Sequence, residues 1–241
     1  MKRGFCFRIF CVCIAALLLI GMPIKTYAYS VMTDENVFRH HDNDCMKIAI
    51  TFDDGPSPIY TPAILDYLKE EGVTATFFLV GSQVRMAPAL VRREIDEGHE
   101  IGNHTDGHPH LSKLPIEALR REVLSCEQMI YELTETRTLL FRPPEGYCSQ
   151  AISDMVAGLD YRIILWNIDT RDWDHTTAEE IAENVLFSVK SGDIILFHDC
   201  VSRKDSQTLA ALKLIIPQLK EREYQFVSVS ELIDTGIAVS E

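Results

Sequence analysis

Four short segments of the chain combine the side chains that are best able to do chemistry, and each segment follows an apolar run. They are residues 51–56 (TFDDGP), 104–108 (HTDGH), 142–144 (RPP) and 196–198 (LFH). Together they supply imidazoles, carboxylates and a guanidinium group. Imidazoles and carboxylates can hold a divalent metal ion, and they can also take and give the protons that hydrolysis requires. The sequence therefore predicts a hydrolytic metalloenzyme.

Two of these segments contain ligands suited to a metal ion. His104 and His108 lie four residues apart, so a single helix-like turn would place them on one side, and neutral imidazoles suit zinc and similar ions. Asp53 and Asp54 are adjacent, and an extended backbone points adjacent side chains in different directions. One carboxylate can therefore complete a three-ligand site with an open position for water, while the other takes a proton from the water.

Each pair also has a purely structural alternative. Asp-Asp-Gly-Pro is a favourable turn after a strand, and Gly107 and Pro109 are typical of a solvated loop around the two histidines. The order of the segments favours chemistry, because buried-looking strands run in succession into Asp-Asp, His-x-x-x-His, Arg-Pro-Pro and Leu-x-His. Chance does not readily explain why residues able to do chemistry follow all four of these predicted strands.

The motifs resemble those of the polysaccharide deacetylases of carbohydrate esterase family 4. That family has TFDDGP, H-[ST]-x-x-H, R-x-P, D-x-x-D-W and L-x-H along its chain. All five motifs occur here in that order, the fourth as residues 169–173 (DTRDW). The resemblance extends roughly from residue 47 to residue 232. Five ordered motifs are far more specific than any one of them.

The resemblance implies a role for each residue that matches a motif. Asp54, His104 and His108 would hold the metal ion, and Asp53 would be the general base. Arg142 would orient the Asp53 carboxylate. Zn²⁺ is the expected ion, although a His-His-Asp set also accepts Co²⁺, Ni²⁺ or another divalent metal.

The remaining motifs would supply the general acid and a pocket for the acetyl methyl group. The resemblance implies that His198 protonates the departing nitrogen, and that Asp172 holds the His198 imidazole and stabilises its charged form. Leu196 and Trp173 would form the wall of the pocket. Core packing is the simpler explanation of a leucine as a residue type, but it explains a Trp beside Asp172 in a loop less well.

One position departs from the commonest form of the family. Many members have Tyr directly after R-P-P, but this chain has Glu145, followed by Gly146 and Tyr147. In the family the backbone N–H at that position helps to polarise the substrate carbonyl, and this donor survives a change of side chain. We expect Glu145 to affect substrate choice, by repelling anionic sugars or holding a cationic group. The alternative is a solvent-facing side chain without a role.

The elements that must position these residues alternate between strand and helix. Apolar runs predict strands at residues 47–52, 74–80, 100–103, 139–142, 162–168, 193–197 and 225–229. Helical patterns lie between them, at residues 61–71, 87–97, 115–133, 150–159, 177–190 and 208–221. The alternation predicts a single α/β domain, a distorted or incomplete (β/α) barrel of about seven parallel strands. Such a barrel places its active site at the carboxyl ends of the strands, where the motifs lie.

The first residues predict export from the cytoplasm. Three basic residues precede the apolar run 9–22, which is short for a membrane span, and residues 26–28 (TYA) resemble a cleavage site. We interpret residues 1–28 as a signal peptide or, alternatively, as an N-terminal membrane anchor, so the protein would be secreted or extracytoplasmic. We expect a short N-terminal segment at residues 29–45, the catalytic domain at 46–235 and a tail at 236–241.

Export also bears on the cysteines. An exported protein could pair Cys45, Cys126, Cys148 and Cys200 in three ways, and the sequence does not choose among them. Their isolated spacing and a sizeable core make buried thiols an equal alternative. No C-x-x-C motif among these four suggests a structural zinc site or a redox pair.

The charge of the chain excludes one class of partner. The net charge is −13, and residues 1–28 carry four basic and no acidic residues, so the rest of the chain has −17. Nucleic acid is therefore not an expected partner. The sequence gives no indication of the oligomeric state.

Taken with the resemblance, these features predict a metal-dependent deacetylase that hydrolyses the N-acetyl group of amino sugars in a polysaccharide and releases acetate. Peptidoglycan is the favoured polymer, with chitin-type oligomers as a second possibility. One alternative is a hydrolase of the same fold that acts on small-molecule amides or O-acetyl esters. Another is a carbohydrate-binding relative without catalysis, which the intact Asp53, His198 and metal ligands argue against.

Overall fold

Short apolar runs form one parallel β-sheet in the computed structural model, which describes residues 36–41, 45–201 and 205–234. The strands are β1 (Val37–Phe38), β2 (Lys47–Asp53), β3 (Thr76–Leu79), β4 (Glu100–Asn103), β5 (Leu140–Phe141), β6 (Arg162–Ile164), β7 (Ile168–Asp169), β8 (Ile194–His198) and β9 (Gln225–Phe226). They lie in the order β1-β6-β5-β4-β3-β2-β8-β7, and β9 pairs with the start of β2. Within the described ranges β1 and β7 are not paired with each other, so the sheet curls into an open, incomplete barrel.

Helices connect most of the successive strands, but within the described ranges none lies between β1 and β2 or between β6 and β7. They are α1 (Thr61–Glu71), α2 (Gly81–Met86), α3 (Pro88–Asp96), α4 (Ile116–Thr134), α5 (Gln150–Ala157), α6 (Ala178–Ser188), α7 (Thr208–Glu221) and α8 (Val229–Asp234). Each long helix buries one apolar stripe; in α1 this stripe includes Ile64, Leu65 and Leu68. Two 3₁₀ turns, Leu111–Lys113 and Pro144–Gly146, lie in the loops after β4 and β5.

The central strands are buried on both faces, as continuous apolar runs predict for a parallel sheet. Every residue of β2 after Lys47 is buried. The ring of Phe52 stacks on Phe77 of β3 with centroids 4.8 Å apart, and it lies 5.9 Å from the ring of Phe197 of β8. This packing holds β2 and β8 in register, so that the polar residues at their carboxyl ends come side by side.

The predicted fold class is confirmed, with one difference inside the sheet. The strand expected over residues 162–168 is two strands, because β6 pairs with β5 whereas β7 pairs with β8 on the other side of the sheet. Asn167 stabilises the break between them. Its side-chain oxygen accepts the N–H of Ile194 at 2.9 Å, and its amide donates to the Asp193 carboxylate at 2.5 Å.

Two further boundaries differ from the sequence expectation. The helix expected over residues 87–97 is preceded by a separate helix, α2, and α3 begins at Pro88, which suits the first turn because it has no N–H to donate. The chain expected to remain extended to Val229 instead starts α8 there. The short strand β1, which pairs with β6, was not expected.

Some predictions fall outside the described residues. The signal peptide or anchor (1–28), most of the N-terminal segment (29–45) and the tail (236–241) belong to this group. Among the helices of the described ranges, none has the length and apolar character needed to cross a membrane.

Candidate active site

The carboxyl ends of four strands bring the predicted residues to one edge of the sheet. Asp53 ends β2 and lies beside His198, which ends β8. His104 follows β4, and Arg142 follows β5. The N–H of Arg142 donates to the carbonyl of Asn103 at 3.0 Å, which joins the two loops at their start. Residues that are up to 145 positions apart thus become neighbours because parallel strands end together.

Asp54, His104 and His108 form a possible metal-binding triad. Their candidate ligand atoms all lie within 4.8 Å of one another. Asp54 Oδ1 is 3.5 Å from His104 Nε2 and 3.3 Å from His108 Nε2. The Nδ1–H of His104 donates to the carbonyl of Arg142 at 2.7 Å, which orients the ring and leaves Nε2 as its ligand atom.

The Asp54 carboxylate fits a cation in this position. Its Oδ1 atom is buried and accepts no hydrogen bond from the residues that the structure describes. Burial raises the pKa of Asp54, but the nearby imidazole of His104, together with the charges of His198 and His108, lowers it to about 2. A buried, ionised oxygen between two imidazole nitrogens is costly unless a cation balances it. The donor set of two nitrogens and one oxygen suits Zn²⁺, Co²⁺ or Ni²⁺.

The backbone around the triad lies in the left-handed region at three positions. The φ angle is 73° at Asp54, 70° at Thr105 and 51° at His108, and such conformations cost about 1–3 kcal/mol each. Two hydrogen bonds hold the loop after β4: Thr105 N–H donates to Asn103 Oδ1 at 2.9 Å, and His108 N–H donates to Thr105 Oγ1 at 3.1 Å. An irregular loop, rather than a helix-like turn, therefore brings the rings of His104 and His108 to a centroid distance of 5.0 Å.

Residues outside the motifs anchor the same loop. Asp106 accepts a hydrogen bond from Arg85 of α2 at 2.7 Å, and Gly107 N–H donates to Glu122 of α4 at 2.7 Å. Sequence reasoning missed Arg85 and Glu122, because they lie on helices and outside every motif. One sequence feature could have indicated that this loop is anchored: Asn103, a polar residue at the end of an apolar strand, where its amide is buried.

A buried guanidinium group holds the predicted base. Arg142 is fully buried, and one of its terminal nitrogens donates to Asp53 Oδ1 at 2.7 Å and to Thr51 Oγ1 at 2.8 Å. The other two nitrogens donate to main-chain carbonyls at the end of β6. Burial lowers the pKa of Arg142, and the Asp53 carboxylate opposes that change. The second oxygen of Asp53 lies 3.8 Å from His104 Nε2, so this carboxylate faces the triad.

The predicted acid is held from behind by a buried carboxylate. Asp172 accepts the Nδ1–H of His198 at 2.8 Å on one oxygen and the backbone N–H of His198 at 2.8 Å on the other. Burial by itself lowers the pKa of His198, but the hydrogen bond and charge of Asp172 raise it to about 9. The imidazole is therefore charged near neutral pH, and Nε2 carries a proton that it can give. Thr208, which sequence reasoning missed, donates its hydroxyl to Asp172 at 2.7 Å.

The three residues predicted to contact substrate have different environments. Leu196 is buried in β8, yet it belongs to none of the hydrophobic clusters of the described residues. Trp173 is 49% exposed, with Arg171 over its ring at 5.9 Å. Glu145 is exposed, has a φ of 57° and pairs with His110 at 2.7 Å. This contact links the loop after β5 to the loop that carries His104 and His108.

Comparisons with known proteins agree with this arrangement. The sequence profile described as polysaccharide deacetylase matches residues 40–164. A peptidoglycan-N-acetylglucosamine deacetylase of Bacillus cereus is 45% identical over 188 residues, which are 77% of this chain and 87% of that protein. The crystal structure of the Bc1960 peptidoglycan N-acetylglucosamine deacetylase superposes with a TM-score of 0.80 at 34% identity, over 83% of this chain and 94% of that one.

A second solved structure brings a different substrate and a metal ion into the comparison. It is a family 4 acetyl xylan esterase from Clostridium thermocellum in complex with a cobalt ion. It superposes with a TM-score of 0.71 at 34% identity, over 77% of this chain and 89% of that one. The motifs, the curled parallel sheet and these similarities agree, and the chain belongs to the polysaccharide deacetylase family of carbohydrate esterase family 4.

Proposed function

We propose that this protein is a metal-dependent deacetylase that removes acetyl groups from N-acetylated amino sugars of a polysaccharide, with peptidoglycan as the first polymer and chitin-type oligomers as the second. One observation carries the proposal: Asp53, the triad and His198 meet at a single edge of the sheet, with the second oxygen of Asp53 3.8 Å from a triad nitrogen. The family and the named relatives support the substrate class.

Asp54, His104 and His108 are the residues that would hold the metal ion. A divalent ion supplies Lewis acidity, which polarises an acetyl carbonyl and makes a nearby water more acidic. Zn²⁺ is the ion we propose, and Co²⁺ and Ni²⁺ suit the same donors. The orphaned Oδ1 atom of Asp54 supports this assignment independently of any activity.

Asp53 is proposed as the general base. Its carboxylate takes a proton from the attacking water while the water oxygen forms a bond to the acetyl carbonyl carbon. Arg142 orients the carboxylate through its 2.7 Å hydrogen bond. Each of its three nitrogens donates at least one hydrogen bond, so the guanidinium group has little freedom to move. The backbone N–H of Glu145 is proposed to stabilise the negative charge that develops on the carbonyl oxygen.

His198 is proposed as the general acid. It gives its Nε2 proton to the sugar nitrogen as the carbon–nitrogen bond breaks, which releases acetate and a free amine. Asp172 stabilises the charged imidazole before the transfer and holds His198 through two hydrogen bonds, one from the ring and one from the backbone N–H. Leu196 and Trp173 are proposed to form the wall of the pocket for the acetyl methyl group.

Acetate release tests the proposed function directly. We expect the purified protein loaded with Zn²⁺ to release acetate from N-acetylglucosamine oligomers and from peptidoglycan. A chelator should abolish release, and added Zn²⁺ or Co²⁺ should restore it, because the triad needs a cation to act. Absence of release from every substrate by protein with one equivalent of bound metal would contradict the proposal.

Glu145 offers a test of substrate choice. We expect Glu145→Tyr to change the relative rates on uncharged chitin-type oligomers and on anionic peptidoglycan severalfold, since it removes a negative charge and the pair with His110. The rate on the best substrate should change less than about twofold, because the backbone donor is retained. Glu221→Tyr, at an exposed position at the end of α7, is the matched control. An unchanged ranking of substrates would refute a role for Glu145.

A second candidate function is hydrolysis of O-acetyl esters. The similarity to an acetyl xylan esterase favours it, and the same base, acid and metal ligands act on either acyl group. Soluble N-acetyl and O-acetyl sugars assayed side by side separate the two candidates. A larger kcat/KM for the O-acetyl sugar would favour the esterase.

The proposed substrate also bears on location. Peptidoglycan lies outside the cytoplasmic membrane, and the proteins named above include peptidoglycan deacetylases, so we infer an extracytoplasmic enzyme. Residues 1–28 would serve as its signal peptide or as a membrane tether, and residues 46–235 as its catalytic domain.

A further inference from the structure

The residue after the proposed acid is a second buried aspartate without a role in the proposed chemistry. Asp199 is 1% exposed, and its N–H donates to the carbonyl of Asp53 at 3.3 Å. One carboxylate oxygen has no hydrogen-bond partner among the described residues, so burying this group is costly. An apolar side chain at this position would stabilise the fold more, so stability alone does not explain an aspartate here.

The other carboxylate oxygen of Asp199 is held by a hydroxyl group with a defined direction. Thr61, the first residue of α1, is fully buried. Its Oγ1 accepts the backbone N–H of Ser57 at 2.7 Å and lies 2.5 Å from Asp199 Oδ2. Because a carboxylate oxygen accepts, the hydroxyl proton of Thr61 points to Asp199.

Gly55 makes room for this carboxylate. A Cβ atom at Gly55 would lie 2.2 Å from both carboxylate oxygens of Asp199, so only glycine permits the contact. Gly55 directly follows Asp54, the proposed metal ligand. The Asp199 side chain therefore packs against the segment that carries both the base and a ligand.

These contacts join two segments of the site at two points, so that the segments and the contacts form a closed ring. One side of the ring is the segment from Asp53 to Thr61, and the other is the pair His198 and Asp199. It is closed by Asp199 N–H to the Asp53 carbonyl, and by Thr61 to Asp199 Oδ2. The strand pairing between β2 and β8 ends at Asp53 and His198, so the ring extends the connection beyond the sheet.

We propose that Asp199 and Thr61 are positioning residues, which hold the Asp53-Asp54 segment at a fixed place relative to His198. The inference rests on the proposed function, because it assigns the base and acid that must be aligned. A misplacement of about 1 Å can lower a rate by about 100-fold, so a small shift of this segment would be measurable.

The test removes the Thr61 hydroxyl and compares it with an equivalent hydroxyl elsewhere. In the full chain, Thr61→Val is expected to lower kcat about tenfold, with KM within twofold of the wild-type value. It should also weaken Co²⁺ binding several-fold, because Asp54 would no longer be held in place. The visible absorption of bound Co²⁺ measures this binding. Thr61→Ser should restore both. Thr76→Val is the matched control, since the buried Thr76 accepts the N–H of Val229 and donates to Glu100 at the opposite ends of the strands.

A change of the carboxylate itself should break the same connection. Asp199→Ala, which removes the oxygen that accepts the Thr61 hydroxyl, should reproduce the loss of Thr61→Val. The double variant should be no worse than either single variant, because both break one connection. Thr61→Val with wild-type kcat and Co²⁺ affinity would overturn the inference, and so would an equal loss in Thr76→Val. If the wild-type protein released no acetate, the proposed function would fail, whereas Co²⁺ binding would still report whether Thr61 positions Asp54.

Discussion

Asp53→Asn is expected to lower kcat for acetate release by roughly 10³-fold while the bound metal is retained. The amide keeps the shape of the carboxylate and an oxygen that can accept from Arg142, but it cannot take a proton from water. Asp54, His104 and His108 are unchanged, so the metal content should stay at the wild-type value. Steady-state kinetics on N-acetylglucosamine oligomers and metal analysis of the same sample make the measurement.

A surface variant separates this effect from a general loss of charge. Asp66→Asn, at an exposed position on α1, should leave kcat unchanged, since Asp66 contacts only Arg93 among the ion pairs of the described residues. Retention of kcat in Asp53→Asn would mean that a different group takes the proton. Loss of the metal in that variant would instead identify Asp53 as a ligand.

Asp172→Asn is expected to move the alkaline limb of the pH–rate profile to lower pH by at least one unit and to reduce the rate at pH 8 by about tenfold or more. A general acid must be protonated, and the pKa of His198 is about 9, so activity should fall as the pH rises through 9. Burial lowers the pKa of this imidazole, and Asp172 does most to reverse the effect, ahead of the charges of Asp53 and Asp54. Removing the charge of Asp172 should therefore move the alkaline limb of the pH–rate profile to lower pH.

The same pair should affect stability with a predictable sign. The pKa of His198 is raised above the value of about 6.5 in the unfolded chain, so the stabilisation by the pair is fully present below pH 6.5 and is lost as the pH rises through 9. Thermal unfolding of the wild type and of Asp172→Asn should differ most at pH 6 and converge at high pH. Asp174→Asn, in the same loop, is the control. Superimposable pH–rate profiles for Asp172→Asn and the wild type would show that Asp172 does not tune the acid.

Two threonines, each the first residue of a helix, hold carboxylates next to the proposed acid. Thr208 begins α7 and donates to Asp172, while Thr61 begins α1 and donates to Asp199. Each threonine is fully buried. The two hydroxyl groups link the loops of the site to α1 and α7, which pack in the core, and packed core elements generally open less readily than loops. We infer that the helices, as well as the strands, set the geometry around His198.

The fold class and the candidate residues at the strand ends could be predicted from the sequence. Strand and helix patterns are local, because they depend on the period of apolar residues and on turn residues such as Gly and Pro. Five motifs at successive strand ends were enough to identify Asp53, the triad residues and His198 as candidates. Because parallel strands end at one edge of a sheet, the predicted fold also implies that these residues lie close together.

The contacts between side chains could not be predicted from the sequence. Arg142 reaches Asp53 across 89 positions because β5 and β2 belong to one curled sheet, and no local pattern contains that distance. The left-handed backbone at Asp54 and His108 is likewise held by its surroundings, against an intrinsic cost that the sequence alone would count as unfavourable. The buried contact between Thr61 and Asp199 joins residues 138 positions apart and lies in no motif. Such contacts depend on the order of the strands and the packing of the helices, which are properties of the whole chain.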